Sequence, residues 1–119
     1  MRVLKFGGSS LATAETIRQV VEVVRGSVED RQVAVVVSAF GGVTDELLTA
    51  ARTAEENKDG WKQIVQSLET RHLSTVSELA VPSERPTLEA RVQETHRELY
   101  DLLLGVSMVR EVGARPLAR

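Results

Sequence analysis

Two pairs of glycines, each placed directly after a short apolar run, constrain this sequence more than any other feature. The first pair stands in KFGGSS and follows the run Val3–Phe6, while the second stands in SAFGGVT and follows Gln32–Ser38. Glycine has no Cβ, so a loop that contains it lets another backbone or a ligand come close. The pattern therefore predicts two strands that each end in a loop suited to close approach.

A helical period separates the two apolar runs. It predicts a helix capped by Thr13 and ending between Gly26 and Asp30, with an apolar stripe at Ile17, Val20, Val21, Val24 and Val28. The continuous β-branched run at 32–38 is typical of a parallel strand that is covered on both faces. Residues 1–44 are therefore predicted to form one βαβ unit.

The remaining sequence predicts a helical segment over residues 45–105. Thr44 or Asp45 is expected to cap a first helix, and a second helix with Trp61 as a core anchor should follow the ENKDG break. Pro86 suits the first turn of a third helix, which Gly105 should close. Residues 106–119 are expected to be a truncated end without an element of their own.

Two predicted strands leave both edges of a sheet unprotected. We therefore expect an α/β chain in which residues 1–119 are the N-terminal portion of a larger domain, a βαβ unit followed by a helical segment. The alternative is that a partner completes the sheet.

The composition narrows the functional classes. The net charge is -2 with both signs mixed, which argues against general binding to nucleic acid or to membrane surfaces. There is no cysteine, so disulfides and thiolate metal sites are excluded. We expect no bound metal, and we expect His72 and His96 to be surface or satisfied interior residues. With no apolar run long enough for a signal peptide or a membrane span, the expected location is the cytoplasm.

Lys5 stands at the end of the first predicted strand, immediately before the first glycine loop. Its ammonium and the amides of the two loops favour binding of an anion such as a phosphate. The pattern is neither a P-loop, in which the lysine follows the glycines, nor a dinucleotide-binding G-x-G-x-x-G. For each glycine pair a simple tight turn is the alternative. Likewise, Ser38 can simply end its strand and Thr44 can simply cap its helix.

The combination of KFGGSS with VVVSAFGGVTDELL resembles the aspartokinase branch of the amino acid kinase family. That family typically opens with K-F-G-G-[TS]-S, and its second strand runs into S-A-x-G-G-V-T. The resemblance extends more loosely over the whole chain and implies the N-terminal part of a carbamate-kinase-like three-layer fold. It also leaves open a bifunctional protein fused to homoserine dehydrogenase.

The resemblance implies specific roles for residues of the two loops. Lys5 would be catalytic, because it would contact the transferring phosphate and stabilise its charge. Ser38 and Thr44 would help to bind aspartate. Contacts to ATP and its phosphates would come from Lys5, Gly7, Gly8, Ser9, Gly41 and Gly42.

The implied reaction moves the γ-phosphate of ATP to the side-chain carboxylate of L-aspartate, the first step toward lysine, threonine and methionine. Mg²⁺ would be carried by the nucleotide, and the expected partners are these small molecules, together with further copies or the rest of a longer chain. The family's S-x-G-E glutamate and a later substrate-binding arginine would follow position 119, so we expect the chain alone to be inactive. Two alternatives stay open: a non-catalytic phosphate-binding or assembly module, and a family kinase with another acceptor.

Overall fold

The computed structural model describes residues 1–114, which contain two β-strands and four α-helices. They belong to two compact units, one over residues 1–44 and one that begins at Asp45. The order of elements is strand, helix, strand and then three helices. The predicted α/β class, with a βαβ unit ahead of a helical segment, is confirmed.

The first unit contains a two-stranded parallel sheet. Strand β1 (Arg2–Phe6) pairs with strand β2 (Val33–Val37) in continuous register along both strands. The amide of Ser38 donates to the carbonyl oxygen of Phe6 at 3.2 Å, which adds a further bond where the strands end. The carboxyl ends of both strands therefore lie at the same edge of the sheet.

Strand β2 is more open than the sequence predicts. Its side chains Val35, Val36 and Val37 are 43%, 46% and 57% exposed. Because successive side chains of a strand point to opposite faces, this half of β2 is open on both of them. The expectation of a strand covered on both faces is therefore wrong for the described residues, since the first helix packs against β2 but does not enclose it.

Helix α1 (Ala14–Ser27) begins where the sequence predicts. The side-chain oxygen of Thr13 accepts from the amide of Thr16 at 3.2 Å, and the hydroxyl of Thr16 accepts from the amide of Thr13 at 3.1 Å. This reciprocal cap satisfies two amides that would otherwise lack partners at the helix start. The predicted cap and the predicted end of this helix are both confirmed.

Helix α2 (Val43–Glu55) starts two or three residues before the position expected from a cap at Thr44 or Asp45. The amide of Val43 donates to the carbonyl oxygen of Phe40 at 3.0 Å, and between them Gly42 has a φ of 85°. This turn leads the chain directly into the helix, so Thr44 and Asp45 already lie in its first turn. The prediction that one of them caps the helix is wrong.

The predicted break after α2 is a left-handed helix terminus. Asn57 has a φ of 57°, and its amide donates to the carbonyl oxygen of Ala54 at 3.0 Å. The amide of Lys58 donates to the carbonyl oxygen of Thr53 at 3.0 Å. These two bonds form a Schellman motif, in which asparagine takes the position that glycine usually occupies.

Helix α3 (Gly60–Leu79) and helix α4 (Arg85–Ala114) complete the second unit and pack against each other. Trp61 is fully buried, and its ring centroid lies 4.9 Å from that of Tyr100. The prediction that Trp61 anchors the core is confirmed. The buried core cluster around it consists of Ala50, Ala54, Trp61, Val65 and Leu103.

Gly105 does not close the last helix, because α4 continues through it to Ala114. The prediction of a helix end at Gly105 is wrong. The prediction that no element follows it is also wrong for residues 106–114, which belong to α4. Residues 115–119, on which the remainder of that prediction falls, lie outside the described residues.

Two contacts with the end of α2 hold this extension of α4 in place. The hydroxyl of Ser107 donates to Oδ1 of Asn57 at 3.1 Å, and Nε of Arg110 donates to the carbonyl oxygen of Glu55 at 3.0 Å. Both contacts join residues far apart in sequence, and they favour continuation of the helix against the cost of about 1 kcal/mol for a glycine inside a helix. In the same described part of the chain, no helix combines the length and the apolar character needed to cross a membrane.

Candidate functional site

The two glycine loops touch through their backbones. A Cβ added to Gly41 would lie 2.9 Å from the carbonyl oxygen of Gly8 and 3.4 Å from the Cβ of Ala12. A Cβ added to Gly8 would lie 3.4 Å from the Cα of Gly41. Because the closest obstacle is a backbone oxygen, the contact requires glycine at position 41. The structure thus brings together Gly8 and Gly41, one from each sequence-predicted loop.

The other two loop glycines differ in whether the local structure requires glycine. Gly42 has a φ of 85°, a conformation that side chains other than glycine rarely adopt. Gly7 has a φ of −87° and a ψ of −177°, which any residue can adopt. A Cβ at Gly7 would meet no atom within 4 Å in the described part of the chain. Neither conformation nor internal packing therefore requires glycine at position 7.

Lys5 lies one residue before the end of β1, opposite Val36 of β2. Its side chain is exposed, and among residues 1–114 it has neither an ion-pair partner nor a side-chain hydrogen bond. The strand places this residue one position before the edge at which both glycine loops begin. A charge in this position is available to neutralise an anionic ligand.

Three hydroxyl side chains of the predicted site also belong to the first unit. Ser9 is exposed in a short 3-10 helix, Gly8–Leu11, which follows β1. Ser38 follows β2, is exposed, and donates its hydroxyl proton to the carbonyl oxygen of Ala39 at 2.6 Å. Thr44 is exposed in the first turn of α2. The oxygen of Ser38 still has the capacity to accept a hydrogen bond.

Sequence reasoning missed two residues that position the first loop. Leu11 is 5% exposed and anchors the 3-10 helix, while Ala12 lies against the position where Gly41 would carry a Cβ. The signal in the sequence was the small residue directly after GGSSL, where a larger side chain would separate the two loops.

Ligands of open α/β sheets bind beyond the carboxyl ends of the strands. In the described range 1–114, no group of three histidine, cysteine or acidic residues is placed to hold a metal ion. In the first unit, the charged residue Lys5 stands one position before this edge, and the two glycine loops begin there. Backbone amides and a cation are the groups that recognise phosphate.

A βαβ unit with touching glycine loops and a strand-end lysine places the first unit among α/β proteins whose loops meet at the carboxyl edge of a parallel sheet. The model of the amino acid kinase family matches residues 1–107. This match covers most of the sequence and includes both loops, so the chain belongs to the amino acid kinase family.

Similar proteins are named aspartokinases. The chain is 35% identical over 118 residues to "Aspartokinase 2, chloroplastic" of Arabidopsis thaliana, a match that covers 95% of this chain and 20% of that protein. It is 35% identical over 102 residues to an aspartokinase of Chlamydia pneumoniae, covering 84% of this chain and 22% of that protein. It is also 36% identical over 118 residues to "Aspartokinase 3, chloroplastic" of Arabidopsis thaliana, a match that covers 95% of this chain and 20% of that protein. The chain therefore spans about a fifth of the length of these relatives.

Proposed function

We propose that this chain is the N-terminal part of an aspartate kinase, which transfers the γ-phosphoryl group of ATP to the side-chain carboxylate of L-aspartate. The family match and the relatives named aspartokinase support the reaction class and the acceptor. The observation that carries the proposal to particular residues is the open space beside Gly7 at the edge where the two loops meet.

The described chain does not explain why position 7 is glycine, whereas a Cβ on Gly8 would at least make ordinary contacts from 3.4 Å outwards. Gly41 is required by the contact with Gly8, and Gly42 by its positive φ. An alanine methyl at position 7 would point into free space and would occupy volume next to the backbone. We therefore assign this space to a phosphate of ATP, which approaches the amides of the first loop. Ser9 of the same loop would offer a polar contact to the phosphates.

Lys5 supplies the positive charge in this proposal. Phosphoryl transfer depends mainly on positioning and on neutralising the charge on the transferring group, so a preorganised ammonium group lowers the barrier. The absence of an internal ion pair at Lys5 means that no carboxylate of residues 1–114 has to be displaced. Mg²⁺ would enter with ATP, held by the phosphate oxygens, as is usual for this ion.

The second loop would hold the acceptor. Ser38 and Thr44 are exposed hydroxyl side chains on either side of Gly41 and Gly42, and they would contact aspartate. The backbone contact of Gly41 with the first loop would keep the acceptor carboxylate close to the γ-phosphate. Such positioning of two reactants is itself a large part of catalysis.

Location and assembly belong to the same proposal. A cytoplasmic location agrees with a cysteine-free sequence, although the Arabidopsis relatives carry the name chloroplastic. Further copies or the rest of a longer chain would complete the enzyme. Fusion to homoserine dehydrogenase stays a prediction of the sequence resemblance alone.

The proposal is tested by expressing the complete reading frame that contains this sequence and by assaying acyl phosphate as its hydroxamate. Mg-ATP with L-aspartate should give turnover on the order of 1–100 per second, whereas L-glutamate or no acceptor should give far less. Turnover with another acceptor only would establish the family kinase with a different substrate. Binding of Mg-ATP without any acceptor-dependent turnover would establish the binding module instead.

The 119-residue chain alone serves as the control for the complete protein in this assay. We expect it to show no aspartate-dependent turnover, because it spans about a fifth of the length of its relatives. Turnover by the short chain at the rate of the complete protein would contradict this expectation.

A further inference from the structure

The two histidines of the sequence meet between α3 and α4. His72 and His96 have ring centroids 5.0 Å apart, with an angle of 52° between the ring planes. His96 is 8% exposed and His72 is partly buried. The fold thus places two titratable rings of the same type in contact inside the second unit, although they are distant in sequence.

Each ring is also bonded to its own helix. Nδ1 of His72 lies 2.7 Å from the carbonyl oxygen of Leu68, and Nδ1 of His96 lies 2.7 Å from the carbonyl oxygen of Val92. A carbonyl oxygen only accepts, so Nδ1 is the donor in both bonds and carries the proton of the neutral ring. A second proton on the His72 ring must therefore bind at Nε2, which turns that ring into a cation.

We propose that His72 and His96 form a pH-sensitive link between α3 and α4, which is closed while the His72 ring is neutral and is weakened when that ring becomes a cation. A positive charge on this partly buried ring, which packs against the second imidazole, lacks the hydration that water gives it in the unfolded chain. The bonds from Nδ1 hold the rings in place, so they cannot rotate apart without breaking a hydrogen bond.

The charged groups around the pair do not cancel this effect. Arg71 disfavours a positive charge on His72, whereas Glu46 of α2 favours one. Beside His96 lies a cavity of about 310 Å³ whose lining carries both signs. Its charged residues are Lys62, Glu69 and Arg97. With cations and carboxylates both present, no excess of negative charge stabilises a cation at this contact.

The direction of the pH effect follows from His72. Burial, as the largest cause, and the neighbouring charge of His96 lower the pKa of His72 below its ordinary value of 6.5, against the bond to Leu68. Below pH 6.5 the unfolded chain therefore binds more protons than the folded chain. The stabilisation is fully present above pH 6.5 and is lost as the pH falls through the lower folded pKa.

The test is urea unfolding of the 119-residue chain between pH 7.5 and pH 5.5, followed by helical circular dichroism. These two side chains are the only histidines of the sequence, so few other groups titrate in this window. The unfolding constant should rise as the pH falls, with a limiting slope of about tenfold per pH unit for each additional proton bound by the unfolded chain. An unfolding constant of the natural chain that does not change between pH 7.5 and pH 5.5 would overturn the proposal.

The double variant His72→Gln and His96→Gln removes both imidazole rings but keeps amide groups that can donate to the same carbonyls. Its unfolding constant should be independent of pH in this window, while a control variant, Arg25→Gln, which removes an exposed charge on α1, should retain the slope of the natural chain. If the double variant keeps the full slope, the proposal is wrong.

A second measurement needs no variant, in case the double variant does not fold. In the natural chain, the ring protons of His72 followed by nuclear magnetic resonance should titrate with a midpoint below 6.5. Amide exchange at the contact of α3 and α4 should accelerate over the same pH range, after correction for the intrinsic rate. A midpoint at or above 6.5, or no acceleration, would overturn the proposal.

Discussion

The two units of this chain are built by different means. In the first unit, the critical contact joins the backbones of Gly8 and Gly41, and much of β2 is exposed. In the second unit, the side chains of Trp61 and Leu68 are almost completely excluded from water. The first unit gives close, open access to a sheet edge, whereas the second supplies hydrophobic stabilisation.

Because of this difference, the residues proposed to bind and transfer phosphate are not the ones that form the hydrophobic core. Every residue of the candidate site lies within residues 1–44. The large buried side chains belong to α3 and to its contact with α4. Apart from Gly41, whose contact with Gly8 serves both purposes, substitutions should therefore divide into those that change binding or transfer and those that change unfolding.

The largest expected effect on stability is at Trp61. The variant Trp61→Ala removes a fully buried indole that packs on Tyr100, and it should lower the free energy of unfolding by about 3–5 kcal/mol. Urea unfolding followed by helical circular dichroism measures the loss. As a control, Leu102→Ala on α4, where the side chain is 65% exposed, should change stability by no more than about 0.5 kcal/mol. Equal effects of the two variants would contradict the assigned core.

A smaller loss is expected where the two loops meet. The variant Gly41→Ala forces a methyl group to within 2.9 Å of the carbonyl oxygen of Gly8, which the backbone must move to relieve. Overpacking of this kind costs about 1–3 kcal/mol. Chemical-shift changes in residues 7–12 should accompany the loss.

The variant Gly7→Ala is the control for Gly41→Ala, because it adds the same methyl group to the other loop. Its methyl group meets no atom of the described chain, so folding and the loop chemical shifts should stay close to those of the natural protein. In the complete protein, however, its binding of Mg-ATP should weaken. If Gly7→Ala binds Mg-ATP normally, the phosphate is not next to this residue.

The smallest expected change is a gain in stability. Gly105 is exposed inside α4, and a Cβ there would meet no atom within 4 Å in the described chain. The variant Gly105→Ala should raise the free energy of unfolding by roughly 0.5–1 kcal/mol, because alanine loses less conformational entropy in a helix. A decrease on urea unfolding would show that α4 does not run straight through this position.

The features that the sequence predicted correctly depend on local patterns. Strand β1, the Thr13 cap of α1, the break after α2 and the burial of Trp61 all follow from periodicity and from residues close in sequence. The loop glycines were also found in this way. Their separate reasons, contact at Gly41 and φ at Gly42, required the structure.

The predictions that were wrong depend on distant contacts or on small shifts in a turn. The extension of α4 past Gly105 depends on bonds from Ser107 to Asn57 and from Arg110 to the end of α2. The early start of α2 depends on the conformation of Gly42. The meeting of the two histidines depends on how α3 and α4 pack, and no local pattern in the sequence encodes that packing.

The central claim is that the exposed lysine at the end of β1 serves phosphoryl transfer and not stability. The variant Lys5→Ala should be compared with Arg2→Ala, which removes an exposed positive charge from the opposite end of the same strand. Both variants should leave the free energy of unfolding within about 0.5 kcal/mol of the natural value. A shared loss of stability would show that these charges support the sheet.

The deciding measurement is the rate constant for acyl phosphate formation from Mg-ATP and L-aspartate by the complete protein and these two variants. Loss of one preorganised charge-stabilising group lowers such a rate by about 10²–10³, so Lys5→Ala should fall by that factor while Arg2→Ala should retain the natural rate. Affinity for aspartate should change little in either variant. Natural turnover in a folded Lys5→Ala protein would contradict the claim and would leave Lys5 as an ordinary surface charge.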